Sequence, residues 1–148
     1  MKIRIDIDDK AKETEVVIKC KEITEDVSKI QSAILAAITD KQTLELLKDG
    51  KEFFLSPDEI LFFESQAGRT YAHSATETFE TKLKLYELEE LLPRRYLRVS
   101  KSAIIDIEKI YSIAKNITGP SVVQFRDSHK QISVSRQYFN ILKTRLKD

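Results

Sequence analysis

The sequence is poor in the residues that disulfides, metal centres and disordered segments require. It has one cysteine, two histidines, three glycines, three prolines and no tryptophan among 148 residues. One cysteine cannot form an internal disulfide, which fits a reducing compartment. Zinc needs three or four Cys or His ligands at recognisable spacing, so we expect no metal and no other cofactor. So few glycines and prolines argue against disorder and low complexity.

Long apolar runs and catalytic motifs are missing too. No stretch approaches the roughly eighteen apolar residues of a membrane span, and the alternating first residues are not a signal peptide. We therefore expect a cytoplasmic protein. There is no glycine-rich phosphate loop or nucleophile elbow, and His73, His129 and Cys20 are isolated. Their ordinary interpretation is structural, with Cys20 a small core residue, so we expect neither an enzyme nor a small-molecule substrate.

Charge is abundant but unevenly distributed. The chain has 25 basic and 24 acidic residues, a formal net charge of +1. Residues 94–148 contain 12 basic and 4 acidic side chains, a net charge of +8, which leaves −7 for residues 1–93. A strongly basic segment joined to an acidic one predicts that one end of the molecule binds a polyanion.

The hydrophobic pattern changes after residue 40 and divides the chain into two modules. Residues 1–42 form the first module. Alternation at residues 3–7 and an apolar run at 15–20 predict two strands. Apolar residues at helical spacing predict an amphipathic helix at 25–38, with Thr24 as its N-cap. The first module is therefore expected to be a small strand–strand–helix unit.

Residues 43–148 predict a β-rich domain. Asp49-Gly50 is a strong hairpin signal, and residues 66–69 are expected to form a turn in which Gly68 can take a positive φ angle. A short helix is expected at 84–92, and Ser135 is expected to cap a terminal helix. The fold class is therefore α+β, mainly β. The predicted strands of this domain are residues 44–48, 52–55, 59–65, 70–75, 77–82, 96–99, 110–114, 122–125 and 131–134.

Two turns of the basic segment carry cations beside hydroxyl groups. Lys101 lies between two serines directly after a predicted strand, and Arg136 follows Ser135 at the start of the terminal helix. Such groups contact phosphate oxygens, and Lys and Arg also reach guanine acceptors. Each motif alone is better explained as a turn with incidental charge, but together within a +8 segment they favour nucleic acid. A helix-turn-helix fits badly, because the segment is mostly strands.

Five stretches share their order and similar spacing with a known family; they are residues 59–65, 85–93, 96–105, 107–110 and 134–138. Residues from about 58 to 146 thereby resemble the LytTR domain, the DNA-binding module of LytR/AlgR-type bacterial transcription regulators. The resemblance implies an elongated, mostly antiparallel β fold with a short internal helix and a C-terminal helix. It also implies that loops of this fold enter successive major grooves of DNA.

The resemblance implies site residues on three loops. For base readout it points to Arg69 and Thr70 in the first loop, Lys101 in the second and Arg136 in the third. For phosphate contacts it points to Arg98, Ser100, Ser102 and Ser135. The family often has Asn where Asp106 stands. A carboxylate near phosphates would repel them, so we expect Asp106 to face inward or to cap a turn.

Members with a receiver domain would need roughly 120 residues in front of the β domain. Here only about 40 precede it, so the resemblance implies the stand-alone type. Members of that type are often encoded beside a small membrane protein that restrains them. Residues 1–42 are therefore a candidate dimer contact or a candidate surface for that partner. A simple extension of the β domain's core is an equally open alternative.

Two functions of different classes follow. The first is a sequence-specific transcription regulator that binds double-stranded DNA as a homodimer on paired half-sites. The second is a protein-interaction module that a membrane or regulatory partner holds through the acidic N-terminal unit. Ionic strength distinguishes them, because binding through phosphates weakens steeply with salt, whereas a contact dominated by apolar burial does not.

Overall fold

The structure, a computed structural model, describes residues 1–38 and 42–147. The chain forms two compact units, Met1–Thr39 and Asp40–Asp148. The module boundary expected after residue 42 adjoins residues 39–41, which lie outside the described residues. Within the two described ranges, no helix is both long enough and apolar enough to cross a membrane.

Three α-helices, ten β-strands and two short 3₁₀ helices (Pro57–Glu59 and Ile107–Lys109) make up the regular structure of the described residues. The helices are α1 (Glu25–Ile38), α2 (Leu85–Leu91) and α3 (Arg136–Lys147). The strands are β1 (Leu44–Lys48), β2 (Lys51–Leu55), β3 (Phe62–Gln66), β4 (Arg69–His73), β5 (Thr78–Thr81), β6 (Tyr96–Ser100), β7 (Ala103–Asp106), β8 (Ile110–Ala114), β9 (Ser121–Phe125) and β10 (Gln131–Val134). Their pairings are antiparallel, so the predicted α+β class, mainly β, is confirmed.

The N-terminal unit contains the predicted helix but neither of the predicted strands. Helix α1 begins after Thr24, whose Oγ1 accepts a hydrogen bond from the Val27 N–H at 3.3 Å, as an N-cap does. Residues 3–7 and 15–20 form no strand, because a strand ladder requires a neighbouring backbone to exchange hydrogen bonds with. Cys20 is exposed, so the prediction of a core position was wrong.

The second unit is built on a seven-stranded sheet of order β2-β1-β5-β4-β3-β7-β6. Asp49 and Gly50 have positive φ angles of 51° and 72° between β1 and β2. Ala67 and Gly68 have positive φ angles of 52° and 79° between β3 and β4. Two successive positive φ angles characterise the type I′ turn, the usual two-residue connection of a hairpin, because the twist of this turn matches the twist of the two strands that it joins. The hairpin predicted at Asp49-Gly50 and the turn predicted at residues 66–69 are therefore confirmed.

Strand β7 was not predicted from the sequence. It lies between β3 and β6, and all four of its residues are buried. Side chains alternate across a sheet, so Ile104 joins one apolar core and Ile105 joins another on the opposite face. Phe63 and Phe62 of β3 divide between the same two cores. A strand buried on both faces shows a short continuous apolar run instead of alternation, and such a run does not by itself indicate a strand.

Separate elements close the two cores of the second unit. Helix α2 covers one face of the sheet with Leu85 and Leu88. On the other face, the three-stranded sheet β10-β9-β8 contributes Phe125 and helix α3 contributes Leu142. Burying an apolar side chain of this size contributes roughly 1.5–3 kcal/mol. The two cores therefore fix the strands, and with them the turns at the strand ends.

Candidate nucleic-acid interface

The turn between β3 and β4 presents Arg69 to solvent. Arg69 is the first residue of β4 and pairs with Gln66 across the turn. Its side chain is 67% exposed, and its Nη1 lies 3.7 Å from Oε2 of Glu80 on β5. An exposed ion pair of this kind contributes at most about 1 kcal/mol. The guanidinium can therefore exchange this contact for a phosphate or a base edge at little cost.

The turn between β6 and β7 consists of Lys101 and Ser102 and is held in place by Arg98. Arg98 Nε donates to the carbonyl of Ser100 at 2.8 Å, and Nη2 donates to the carbonyl of Lys101 at 2.5 Å. Its Nη1 pairs with Glu89 on α2. Charge-assisted bonds from a planar fork fix geometry more firmly than neutral bonds do. The exposed Lys101 ammonium is therefore carried on a preorganised turn.

These two turns lie side by side at one end of the seven-stranded sheet. Strand β3 pairs with β7 with Glu64 opposite Ala103. One residue further along, the Ser65 N–H donates to the carbonyl of Ser102 at 2.8 Å. Strand β3 leads directly into the Arg69 turn. The hydrogen bonds between β3 and β7 therefore bring the Arg69 turn and the Lys101 turn together, although the two turns are distant in sequence.

The start of α3 joins the same end through β6. The Ser135 N–H donates to the carbonyl of Val99 at 2.9 Å, so α3 begins beside the last residues of β6, which lead into the Lys101 turn. Arg136 is exposed, and its Nη2 donates to the carbonyl of Ile117 at 3.3 Å. The N-terminus of a helix also favours an anion through its unpaired N–H groups. Hydrogen bonds among β3, β7, β6 and α3 thus place the backbone segments that carry all three predicted base-reading cations at one end of the domain.

Three predicted site residues lie differently from the expectation. Thr70 is only 5% exposed, because the alternation of β4 turns its side chain inward, so it cannot act as a surface reader. The Oγ atom of Ser135 is buried and makes no hydrogen bond within the described residues, so it is not offered to a phosphate. Arg98 directs its donors at the turn rather than outward. Ser100 and Ser102 do lie at the turn, with their hydroxyl oxygens 3.4 Å apart.

Comparison with known protein families assigns the second unit. The family model described as the LytTr DNA-binding domain matches residues 50–147. The chain belongs to the LytTr DNA-binding domain family. This family consists of DNA-binding modules of transcription regulators and is not a class of enzymes.

A solved LytTr domain has the same fold. It is the DNA-binding domain of a protein described as a methyl-accepting/DNA response regulator from Bacillus cereus, and it superposes with a TM-score of 0.66. The match covers 73% of this chain and 99% of that chain at 20% sequence identity, so it supports the fold alone.

Two relatives from Staphylococcus aureus, strains MSSA476 and NCTC 8325 / PS 47, are named uncharacterized HTH-type transcriptional regulators. Each is 27% identical over 146 residues, which covers 99% of this chain and 98% of the relative. Across residues 1–38 and 42–147 of this LytTr protein, no α-helix directly follows another, so this part contains no helix-turn-helix.

The loop between β8 and β9 adds polar and basic groups that the sequence reasoning missed. Arg136 donates to one of its carbonyls, and Nζ of Lys115 lies 5.6 Å from the ring centroid of Phe139 on α3. Asn116 Oδ1 accepts hydrogen bonds from the N–H and the Oγ1 of Thr118 at 3.1 and 3.2 Å, which orders the loop as an Asx turn. A cation followed by Asn, Thr, Gly and Pro directly after a strand was the available signal.

Arg95 and Asp106 belong to the interior of the LytTr domain. Asp106 is fully buried; its Oδ2 accepts from Arg95 Nε at 3.1 Å, and its Oδ1 accepts from the Glu108 N–H at 3.0 Å. Burial raises the pKa of Asp106, while these hydrogen bonds oppose the rise. Asp106 therefore both faces inward and caps a turn, as predicted. Arg95 also pairs with Asp58, so its charge serves the fold.

Proposed function

We propose that this LytTr protein is a sequence-specific transcription regulator that reads major grooves of double-stranded DNA through basic turns. The observation that carries the proposal is the grouping of Arg69, Lys101 and Arg136 at one end of the domain. Each base pair displays a distinct pattern of donors and acceptors in the major groove, and Arg or Lys there recognises guanine O6 and N7. Such a regulator acts on chromosomal DNA in the cytoplasm.

The proposed roles of the side chains differ. Lys101 and Arg136 read base edges, because both are exposed, Lys101 on the turn after β6 and Arg136 at the start of α3. Arg69 joins them from the neighbouring turn. Ser100 and Ser102 contact phosphates, which sets the register of the protein on the duplex. Arg98 acts through the turn that it supports, and Thr70 takes no part in readout.

We also propose that the protein acts as a homodimer on paired half-sites. A single domain with two or three base-reading side chains distinguishes few base pairs, since each good contact contributes only about 1–3 kcal/mol of discrimination. Two domains on one site double the number of bases read. The half-sites would be separated by about one helical turn of roughly 10.5 base pairs, or a multiple of it.

Selection from a pool of random duplexes with the full-length chain tests this function. We expect enrichment of a defined motif, present as two spaced copies. The binding constant for that motif should fall with salt by roughly 0.9 log units per decade for each phosphate contacted. If folded protein enriches no sequence over successive rounds, the proposed function is wrong.

Protein binding through the N-terminal unit is the second candidate function. It is favoured by an open apolar groove of about 750 Å³ beside α1. The expected acidic character of this unit needs correction, because residues 1–42 contain eight basic and nine acidic residues. The acidic excess lies in residues 43–93, with five basic and eleven acidic. The partner would be a second copy of the chain or a small membrane protein. In either case apolar contact dominates the binding, so the affinity should change little with salt concentration.

A further inference from the structure

The first residues of the chain have the side-chain alternation of a strand but no strand partner among the described residues. Arg4 and Asp6 lie on the same side of the backbone, with Nε and Oδ1 3.1 Å apart, as residues two apart do in an extended chain. Ile3, Ile5 and Ile7 point away from that side and are 92%, 84% and 94% exposed. An exposed apolar stripe beside unpaired backbone groups is a template for pairing with another chain.

The N-terminal unit has no core of its own to bury this stripe. None of the described residues 1–38 is buried. Units of this small size usually need disulfides, metals or oligomerisation to become stable. Its single cysteine, Cys20, permits no internal disulfide. Association with another chain is therefore the route that this unit has to a stable apolar interior.

We propose that residues 2–8 of two copies of this chain pair as antiparallel strands about a two-fold axis at Ile5. In this register Ile3 of one copy lies opposite Ile7 of the other, and Ile5 lies opposite its own equivalent. Directly opposite side chains of one face make the contacts that stabilise a strand pair. All apolar residues of the segment then lie on one face of the two-stranded ribbon.

The charged residues of the segment are complementary to themselves in this register. Lys2 lies opposite Asp8 of the second copy, and Arg4 lies opposite Asp6 of the second copy. Every charge from residue 2 to residue 8 therefore meets a charge of opposite sign. A partner of any other sequence would have to match this alternation, whereas a second copy matches it by symmetry. Charge complementarity thus identifies a second copy of the chain as the partner strand.

Competing registers place like charges together, which destabilises a strand pair. A slip by two residues in one direction puts Arg4 opposite itself, and a slip in the other direction puts Asp6 opposite itself. A slip by one residue turns the isoleucines of one strand to the wrong face. A parallel, in-register pairing sets each charge against its own equivalent. The register centred on Ile5 avoids all of these conflicts.

An apolar groove in the same unit supplies the cover that the ribbon needs. An isolated two-stranded ribbon is at best marginally stable in water. Alternate residues of the segment before α1, such as Val16 and Ile18, line the groove together with Val27 and Ile34 of α1. In the dimer, the isoleucine face of the ribbon packs into these grooves. This pairing supplies the dimer of the proposed function, but its test contains no DNA, so the two proposals can fail separately.

Charge reversal tests the pairing in the full-length chain by sedimentation equilibrium. Arg4→Asp, or Asp6→Arg alone, should raise the dimer dissociation constant at least about tenfold, since each change creates two like-charge pairs. The double variant Arg4→Asp/Asp6→Arg restores both opposite-charge pairs and should recover dimerisation. Lys12→Asp is the matched control for Arg4→Asp, because it changes the net charge by the same amount outside the paired segment and should leave the dimer unchanged.

Cysteine cross-linking tests the register. In a Cys20→Ser background, Ile5→Cys should form a disulfide-linked dimer under mild oxidation, because opposite residues of an antiparallel pair lie within disulfide reach. Ile3→Cys alone should link poorly, while a mixture of Ile3→Cys and Ile7→Cys proteins should link efficiently. Wild-type protein that stays monomeric at micromolar concentration, or a dimer indifferent to the charge reversals, would overturn the proposal and leave this surface to a different partner.

Discussion

Both units of the chain contain isoleucine, leucine and valine side chains but use them in opposite ways. In the first unit Ile3, Ile5 and Ile7 are more than four fifths exposed, whereas in the second unit Ile60 and Leu88 are fully buried. Composition does not explain this difference. The second unit has sheet faces and helices of its own to stack, while the first has one helix and an unpaired segment. Burial therefore depends on whether the same chain supplies a second layer.

This contrast assigns DNA recognition to the second unit and association between copies to the first. The second unit stabilises itself, so its turns hold the cationic side chains in place without help. The first unit has apolar surface but no interior, which suits association rather than recognition of DNA. A change in the first unit should therefore leave the fold of the second unit intact, and a change in the base-reading side chains should leave association between copies intact.

The largest expected effect comes from removing a core side chain. Phe63→Ala deletes a fully buried ring next to Tyr96 and should lower the free energy of unfolding by about 3–5 kcal/mol. Ile23→Ala, at a position 80% exposed in the first unit, should change it by less than about 0.5 kcal/mol. Urea denaturation of dilute, monomeric protein measures both values. Equal losses would contradict the contrast between the two units.

A smaller effect is expected from the side chain that supports the Lys101 turn. Arg98→Ala should weaken binding to the selected DNA motif by about 1–2 kcal/mol, because the turn loses its charge-assisted hydrogen bonds. The slope of affinity against salt should stay unchanged, since Arg98 does not touch a phosphate in this account. A slope reduced by about 0.9 would instead make Arg98 a phosphate contact.

The smallest effect concerns the pH dependence of stability, which the buried polar contacts of the second unit should generate. His73 stacks on Phe62, and its Nε2 lies 2.7 Å from Oε1 of Glu64 while its Nδ1 lies 3.3 Å from Nζ of Lys130. Burial lowers the pKa of His73, and the Lys130 charge lowers it further against the opposing effect of Glu64. The folded state thus prefers the neutral ring.

The sign of the effect follows from the lowered pKa. As pH falls below the ordinary histidine value of about 6.5, the unfolded chain takes up the proton first. The contribution of His73 is therefore fully present above that pH and is lost as pH falls through its lower value in the folded state. Thermal unfolding of wild type and His73→Gln between neutral and mildly acidic pH measures this. The difference between them should shrink on acidification, and a constant difference would contradict the assignment.

Local patterns in the sequence were enough to predict much of the fold. Helix α1 follows from its apolar spacing and from Thr24, and the hairpin at Asp49-Gly50 follows from backbone preference alone. Strand β7 was missed because burial on both faces removes the alternation that identifies a strand. The strands expected at 3–7 and 15–20 were wrong for the single chain. An apolar pattern indicates residues that need burial, but it does not identify the segment that buries them.

The candidate site was predictable in part. Exposed cations such as Lys101 and Arg136 follow from turn position and local charge. The inward orientation of Thr70 depends on the register of β4, and the support of the Lys101 turn by Arg98 depends on contacts with the backbone. Neither is visible in a linear pattern. The loop at Lys115 was missed because only the fold brings it to Arg136.

The most direct test of the central account is the affinity of Arg136→Ala and Lys101→Ala for the selected motif and for a scrambled duplex at one salt concentration. Each variant should lose about 1–3 kcal/mol on the motif and far less on the scrambled duplex. Lys51→Ala, on the opposite edge strand of the seven-stranded sheet, should lose little on either. Folded Arg136→Ala protein that binds the motif as tightly as wild type would contradict the account.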